Sequence, residues 1–179
     1  MSYKKPSYKK TVFDITISMG LVGLFVVLLA GFVGQTRKAN EVEIRAVDLS
    51  AISRATSERT DLPIYAPSSL PQGWVATSGR LEQVQDKPMW RFGLVTAERE
   101  FIGVKVSEET PERMLKASGY VITESEEQTV AGKSLTRWSD ANKNERGIYY
   151  QVNGVNLLVY GTATFEEQIN LIEKLILIS

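Results

Sequence analysis

Three hydrophobic periods divide the chain. Residues 15–36 contain no charged side chain, and at about 1.5 Å per residue a helix of that length crosses a hydrocarbon core of roughly 30 Å. Behind Asp48, a good N-cap, Leu49, Ile52 and Ala55 recur at helical spacing and predict a short helix to about Arg59. Pro63, Pro67 and Pro71 then punctuate a connecting loop over residues 62–74 in which no regular helix runs. From Trp74 the period falls to two.

Alternation predicts strands over residues 74–84, over 89–97 with Trp90, Phe92 and Leu94 on one face, and over 101–107 with Ile102, Val104 and Val106 alternating. Together they read as a meander. Thr110 caps a helix that opens with Pro111, continues through Met114 and Leu115 and stops at Gly119. Further strands are expected over 120–123, 128–131 and 133–139, with a turn at Gly132. Residues 147–152 and 155–160 form a hairpin joined by Asn153-Gly154, a pair that accepts the positive φ of a type I′ turn. Thr164 and Glu167 make a capping box, and Phe165, Ile169, Ile172 and Ile176 form the apolar stripe of a C-terminal helix. The expected fold class is α+β: an N-terminal transmembrane helix, then an antiparallel sheet of five to seven strands with helices packed on one face.

Charge sets the topology. Lys4, Lys5, Lys9 and Lys10 precede the apolar run, so the positive-inside rule puts the residues after it outside the cytoplasm. A cleaved signal peptide shares the pattern of lysines before an apolar run, but its core is usually about 7 to 15 residues. The run here is longer and shows no small-x-small site around Gly31 and Gly34, which favours an uncleaved anchor. The expected organisation is a cytoplasmic basic tail over 1–11, an anchor over 12–36, a stalk over 37–47 and one extracytoplasmic domain over 48–179. The tail repeats Ser2-Tyr3-Lys4-Lys5 as Ser7-Tyr8-Lys9-Lys10 across Pro6; topology and anionic lipid explain its lysines, with a docking peptide as the sharper reading.

Composition removes whole classes of chemistry. The chain lacks Cys, which excludes disulfides, a lipid-modified N-terminal Cys, thiol nucleophiles and thiolate metal sites. It also lacks His, which excludes a Ser-His-Asp triad, His-bearing zinc sites and a His general base. Carboxylate pairs, Ser-Lys arrangements or Tyr are what remain for catalysis. From Arg37 onward 17 basic side chains face 20 acidic ones, which argues against nucleic acid.

Each candidate site has an ordinary explanation. Asp140, Asn142 and Asn144 resemble the opening of a calcium loop, but Glu145 stands where Gly is needed, Gln151 where the bidentate Glu is needed, and Lys143 and Arg146 add positive charge. Trp90 and Trp138 sit in alternating strands as core residues, while Trp74, after a loop, is the candidate contact for a ligand. Glu108, Glu109, Glu124, Glu126 and Glu127 read as solvated turns, with carboxylate catalysis only if two converge in a cleft. In the anchor, Gly20, Gly23, Ala30, Gly31 and Gly34 fall within an arc of about 100°, with Thr16 and Val27 on the same side. Such a smooth face lets a second helix approach closely in lipid.

Tyr65-Ala66-Pro67-Ser68-Ser69-Leu70-Pro71-Gln72-Gly73-Trp74, with the later order of Trp90, Trp138, Tyr160-Gly161 and a Glu-rich final helix, resembles an actinobacterial family of single-pass membrane proteins with a domain of unknown function, number 4245. The resemblance spans most of residues 10–179 and implies a location, a lineage and an α+β domain, with no catalytic residue to carry over. The functional expectation is a non-enzymatic membrane protein without a cofactor, an accessory subunit of a membrane or envelope complex. Its partners are the bilayer and another membrane protein, or a second copy through the anchor, and not nucleic acid. The alternative is a binding module for an envelope lipid or glycan near Trp74; a carboxylate hydrolase is the third class.

Overall fold

Asp48 accepts a hydrogen bond from the backbone N–H of Ala51 at 3.0 Å and so opens α1, Leu49–Ser57. The computed structural model describes residues 45–178 apart from residues 85 and 131, so the tail, the anchor and all but the last three residues of the stalk lie outside the described residues. Eleven elements follow α1: β1 Ile64–Pro67, β2 Val75–Val84, β3 Lys87–Val95, β4 Phe101–Ser107, α2 Pro111–Ala117, β5 Glu124–Val130, β6 Lys133–Asp140, β7 Glu145–Val152, β8 Val155–Gly161, α3 Phe165–Lys174 and β9 Leu175–Ile178. Among the described residues no helix is long and apolar enough to cross a membrane.

Strands β2 to β8 without β1 form one antiparallel sheet in the order β2-β3-β4-β8-β7-β6-β5. The expected hairpin closes it at the centre: Asn153 at φ 48° and Gly154 at φ 81° carry the chain from β7 to β8. Alternation then gives the sheet two apolar faces. Trp90, Phe92, Leu94, Ile102, Val104, Leu157, Val159 and Ile148 pack the larger core with Leu49 of α1 and with Leu171 and Ile172 of α3. Leu158, Met89 and Trp138 point the other way and meet Met114 and Leu115 of α2.

Four expectations change here. Helices pack on both faces, because Leu158 and Met89 add apolar surface on the side opposite Leu157 and Trp90, and α2 covers it. The connecting loop contains a strand: β1 pairs with β9 from Ile64 opposite Ile178 to Pro67 opposite Leu175. Ile176 consequently belongs to β9 and not to a helical stripe; α3 ends at Lys174, and Leu175 adopts φ −70° and ψ 124°. Residues 120–123 form no strand, since Val121 N–H bonds the Asp140 carboxylate at 2.9 Å and Thr123 N–H bonds the Ser139 carbonyl before β5 begins.

Two side-chain bonds tie β1 to the main sheet. Trp90 Nε1 donates to the Tyr65 carbonyl at 2.9 Å, and Asn153 Nδ2 donates to the Tyr65 hydroxyl at 2.8 Å. On the smaller face, glycines make notches for large rings: a Cβ at Gly103 would stand 2.5 Å from the Tyr160 ring, and one at Gly147 would stand 2.5 Å from the Trp138 ring.

Candidate functional site

The free strand edges differ in chemistry. At β2, a bulge between Ala76 and Ser78 breaks the ladder, and Glu82 pairs with Arg80 at 2.7 Å and with Arg91 at 3.2 Å. At β5, Glu124, Glu126 and Glu127 stand exposed along the outer strand. They lie in a strand and not in the turns expected of them. By contrast β9 reads Leu175-Ile176-Leu177-Ile178 with no charge, and Ile176 and Leu177 are 48% and 50% exposed. Its sheet holds only two strands, so one side of β9 has no strand beside it. A shallow cavity of about 330 Å³ adjoins it, lined by Leu62, Pro63, Ile64, Leu177 and Ile178, with Ser57 at the end of α1 and Glu58 and Asp61 just beyond it.

The smaller face of the sheet is polar around its apolar patch. Lys105 is buried, donates to Ser118 Oγ and lies 4.9 Å from the centre of the Tyr160 ring. Desolvation by burial lowers its pKa, with Lys143 adding to the shift and Glu82 opposing it. Ser118 Oγ in turn donates to the Met114 carbonyl as the helix ends, so its proton is already committed to the backbone. Tyr120 donates to the Glu145 carboxylate, and burial together with that carboxylate raises its pKa.

A third region lies where β5, β6 and β7 meet the start of α3. There a groove of about 490 Å³ is lined by Glu124 and Glu126 on one side and by Arg137, Arg146 and Phe165 on the other. The guanidinium carbons of Arg137 and Arg146 stand 5.1 and 5.9 Å from the centre of the Phe165 ring.

Of the residues singled out in the sequence, Glu124, Glu126, Trp138, Asp140 and Asn144 line this groove, so two of the glutamates do converge on one cleft, whereas Trp74, Glu108 and Glu109 lie away from it. Trp90 and Trp138 are core residues, and Trp74 is half-buried against the larger core and lines neither of the two cavities. Asp140 spends its carboxylate on the N–H groups of Val121 and Asn142, and these bonds, led by Val121, hold its pKa below the usual range. Lys143 turns to the Ser118 carbonyl at 3.2 Å. Glu109, expected in a solvated turn, is buried: burial pushes its pKa up, but Arg113 at 3.3 Å and Lys87 at 3.4 Å more than offset that and hold it low. Gly20, Gly23, Ala30, Gly31 and Gly34 lie outside the described residues. Sequence reasoning passed over β9 because Ile176 fits a helical stripe, passed over Arg137 because a single arginine in an alternating strand carries no spacing signal, and took Arg146 only as a charge against calcium.

A sequence model of the family described as "Protein of unknown function (DUF4245)" matches residues 8–175. Among solved structures, the crystal structure of MucB in complex with MucA(peri) is similar at a TM-score of 0.37 and 8% identity, over 64% of this chain and 36% of that one. No curated protein matches the sequence.

Proposed function

The chain belongs to the family of unknown function DUF4245, and we propose that this member is a non-enzymatic, single-pass membrane protein of an actinobacterial envelope. It serves as an accessory or interaction subunit of a larger membrane or envelope complex. The observation that carries the reading is β9, an uncharged strand edge with Ile176 and Leu177 half exposed, whereas β1 beside it is buried and the two edges of the seven-stranded sheet are bulged at β2 and charged at β5. An apolar extended segment of a second envelope protein adds to β9 as a further strand, through backbone hydrogen bonds and alternate side chains.

The uncharged run over residues 15–36 anchors the domain, and the four lysines before it place the domain outside. Gly20, Gly23, Ala30, Gly31 and Gly34 give the anchor a smooth face for the same partner's transmembrane helix or for a second copy. The test is gentle detergent purification of the full chain with identification of what co-purifies. A protein that is lost with Leu177→Lys and retained with Glu126→Lys supports the reading. Recovery of the same proteins with all three chains contradicts it. Reporters fused before Met1 and after Ser179 should read inside and outside respectively; reversed signals contradict the topology.

A further inference from the structure

We propose that the groove between β5 and the start of α3 binds a phosphate ester that also carries an ammonium group, the chemistry shared by soluble phosphoethanolamine and by an ethanolamine lipid headgroup. Arg137 and Arg146 hold the phosphate beside Phe165, and Glu124 and Glu126 take the ammonium. The site is independent of the β9 edge.

The first argument is an ion pair that the fold sets up and does not make. Glu126 stands directly opposite Arg137 in the β5–β6 register, and Glu124 opposite Ser139 with Arg146 next in the same row. Directly opposed residues share a face at about 5 Å between Cβ atoms, close enough for oppositely charged side chains to meet. Yet neither guanidinium has an ion pair or hydrogen bond among the described residues; both turn to the Phe165 ring instead. Two cations and four carboxylates line a groove of about 490 Å³, within the usual size of a small-molecule site of roughly 300 to 1,000 Å³; Asp140 and Glu145 already accept from Val121, Asn142 and Tyr120, which leaves Glu124 and Glu126 for a ligand.

The second argument is an orphaned donor. Arg137 Nε is buried without an acceptor, so no protein group competes with a ligand for the guanidinium that lines the groove. Backbone and ring hold the pair in place: Gln168, fully buried, donates to the Arg146 carbonyl at 3.2 Å and to the Ala163 carbonyl at 3.2 Å. With both guanidiniums laid near the aromatic ring, their planar forks present several N–H donors at once. The terminal oxygens of a phosphate, in a monoester or a diester, have lone pairs enough to accept from both forks. Glu124 and Glu126 would repel a bare anion, so the ligand that fits both sides is dipolar.

Calorimetric titration of the full chain in phosphatidylcholine nanodiscs, with O-phosphoethanolamine, inorganic phosphate and ethanolamine as probes, tests this directly. Phosphoethanolamine should bind at least tenfold tighter than either of the others. Arg137→Gln with Arg146→Gln should weaken it at least tenfold, while Glu124→Gln with Glu126→Gln should abolish the preference over inorganic phosphate and leave phosphate binding at least as strong. The carboxylate variant lies on an exposed edge and keeps the test usable if the arginine variant fails to fold. Nanodiscs containing phosphatidylethanolamine distinguish the sources: competition with the soluble probe marks the headgroup as ligand, and its absence marks the soluble ester. No binding of phosphoethanolamine at millimolar concentration, or equal binding by wild type and a folded arginine variant, overturns the proposal.

Discussion

Strands β5 and β9 are both exposed edges, yet one is defended and the other is not. Strand β5 presents Glu124, Glu126 and Glu127, and a second copy approaching it meets the same three charges. Strand β9 presents Ile176 and Leu177 with no charge among its four residues. The two are also held differently. Strand β5 hangs from β6 alone over seven paired positions and shows little burial, whereas β9 is the continuation of α3, whose Leu171 and Ile172 are fixed in the larger core. On the proposed reading the apolar edge on its rigid support is the interface, and the charged edge at the rim keeps other chains away.

The largest effect should come from removing that support. Leu171 is fully buried, and Leu171→Ala should cost about 2–5 kcal/mol in denaturant unfolding. Amide exchange should accelerate more in β9 than in β5; uniform acceleration would show that the two edges share one support. Gly147→Ala attacks the other end, because a Cβ there meets both the Trp138 ring and the Val159 carbonyl at 2.5 Å. A loss of about 1–3 kcal/mol is expected, with exchange now faster in β5 to β7 than in β9.

Lys105→Met lies in β4, inside the seven-stranded sheet and away from β5 and β9, and should disturb neither. It removes the burial cost of an ammonium while Ser118 keeps its bond to Met114, for a gain below about 1 kcal/mol. The sign with pH follows from the lowered pKa in the folded chain. Between that value and the unfolded value of roughly 10.4 the unfolded chain binds more protons, so wild-type stability rises with pH across the window. Thermal melts of Lys105→Met should lack that rise. The smallest effect on stability, within about 0.5 kcal/mol, is expected for Glu124→Thr, Glu126→Thr and Glu127→Thr together. Their signature is self-association on sizing columns, because the edge loses its guard; a monomer at all concentrations would mean that charge was not what defended β5.

Much of this architecture is legible in the sequence where the signal is local. Asp48, the Thr164–Glu167 box, Asn153-Gly154 and the alternation of Ile102, Val104 and Val106 each specify structure within a few residues, and each appears as read. What escaped depends on distant partners. Ile64 to Pro67 become a strand only because β9 arrives beside them from the far end of the chain, and Ile176 leaves the helical stripe for the same reason. Glu109 reads as an ordinary surface acid until Lys87 and Arg113 converge on it. The groove is hidden for a similar reason, since Arg137, Arg146 and Phe165 come from three elements and share no spacing. Helices on both faces follow from Leu158, whose neighbours Leu157 and Val159 mask its opposite orientation in a continuous apolar run.

The central claim, that β9 and not β5 takes the partner, is tested most directly by site-specific photo-crosslinking in the full chain expressed in cells. A photoreactive residue at Leu177 should yield a discrete adduct with one envelope protein, and the same residue at Glu126 should yield none. An adduct of equal yield at both positions, or at Glu126 alone, would contradict the account.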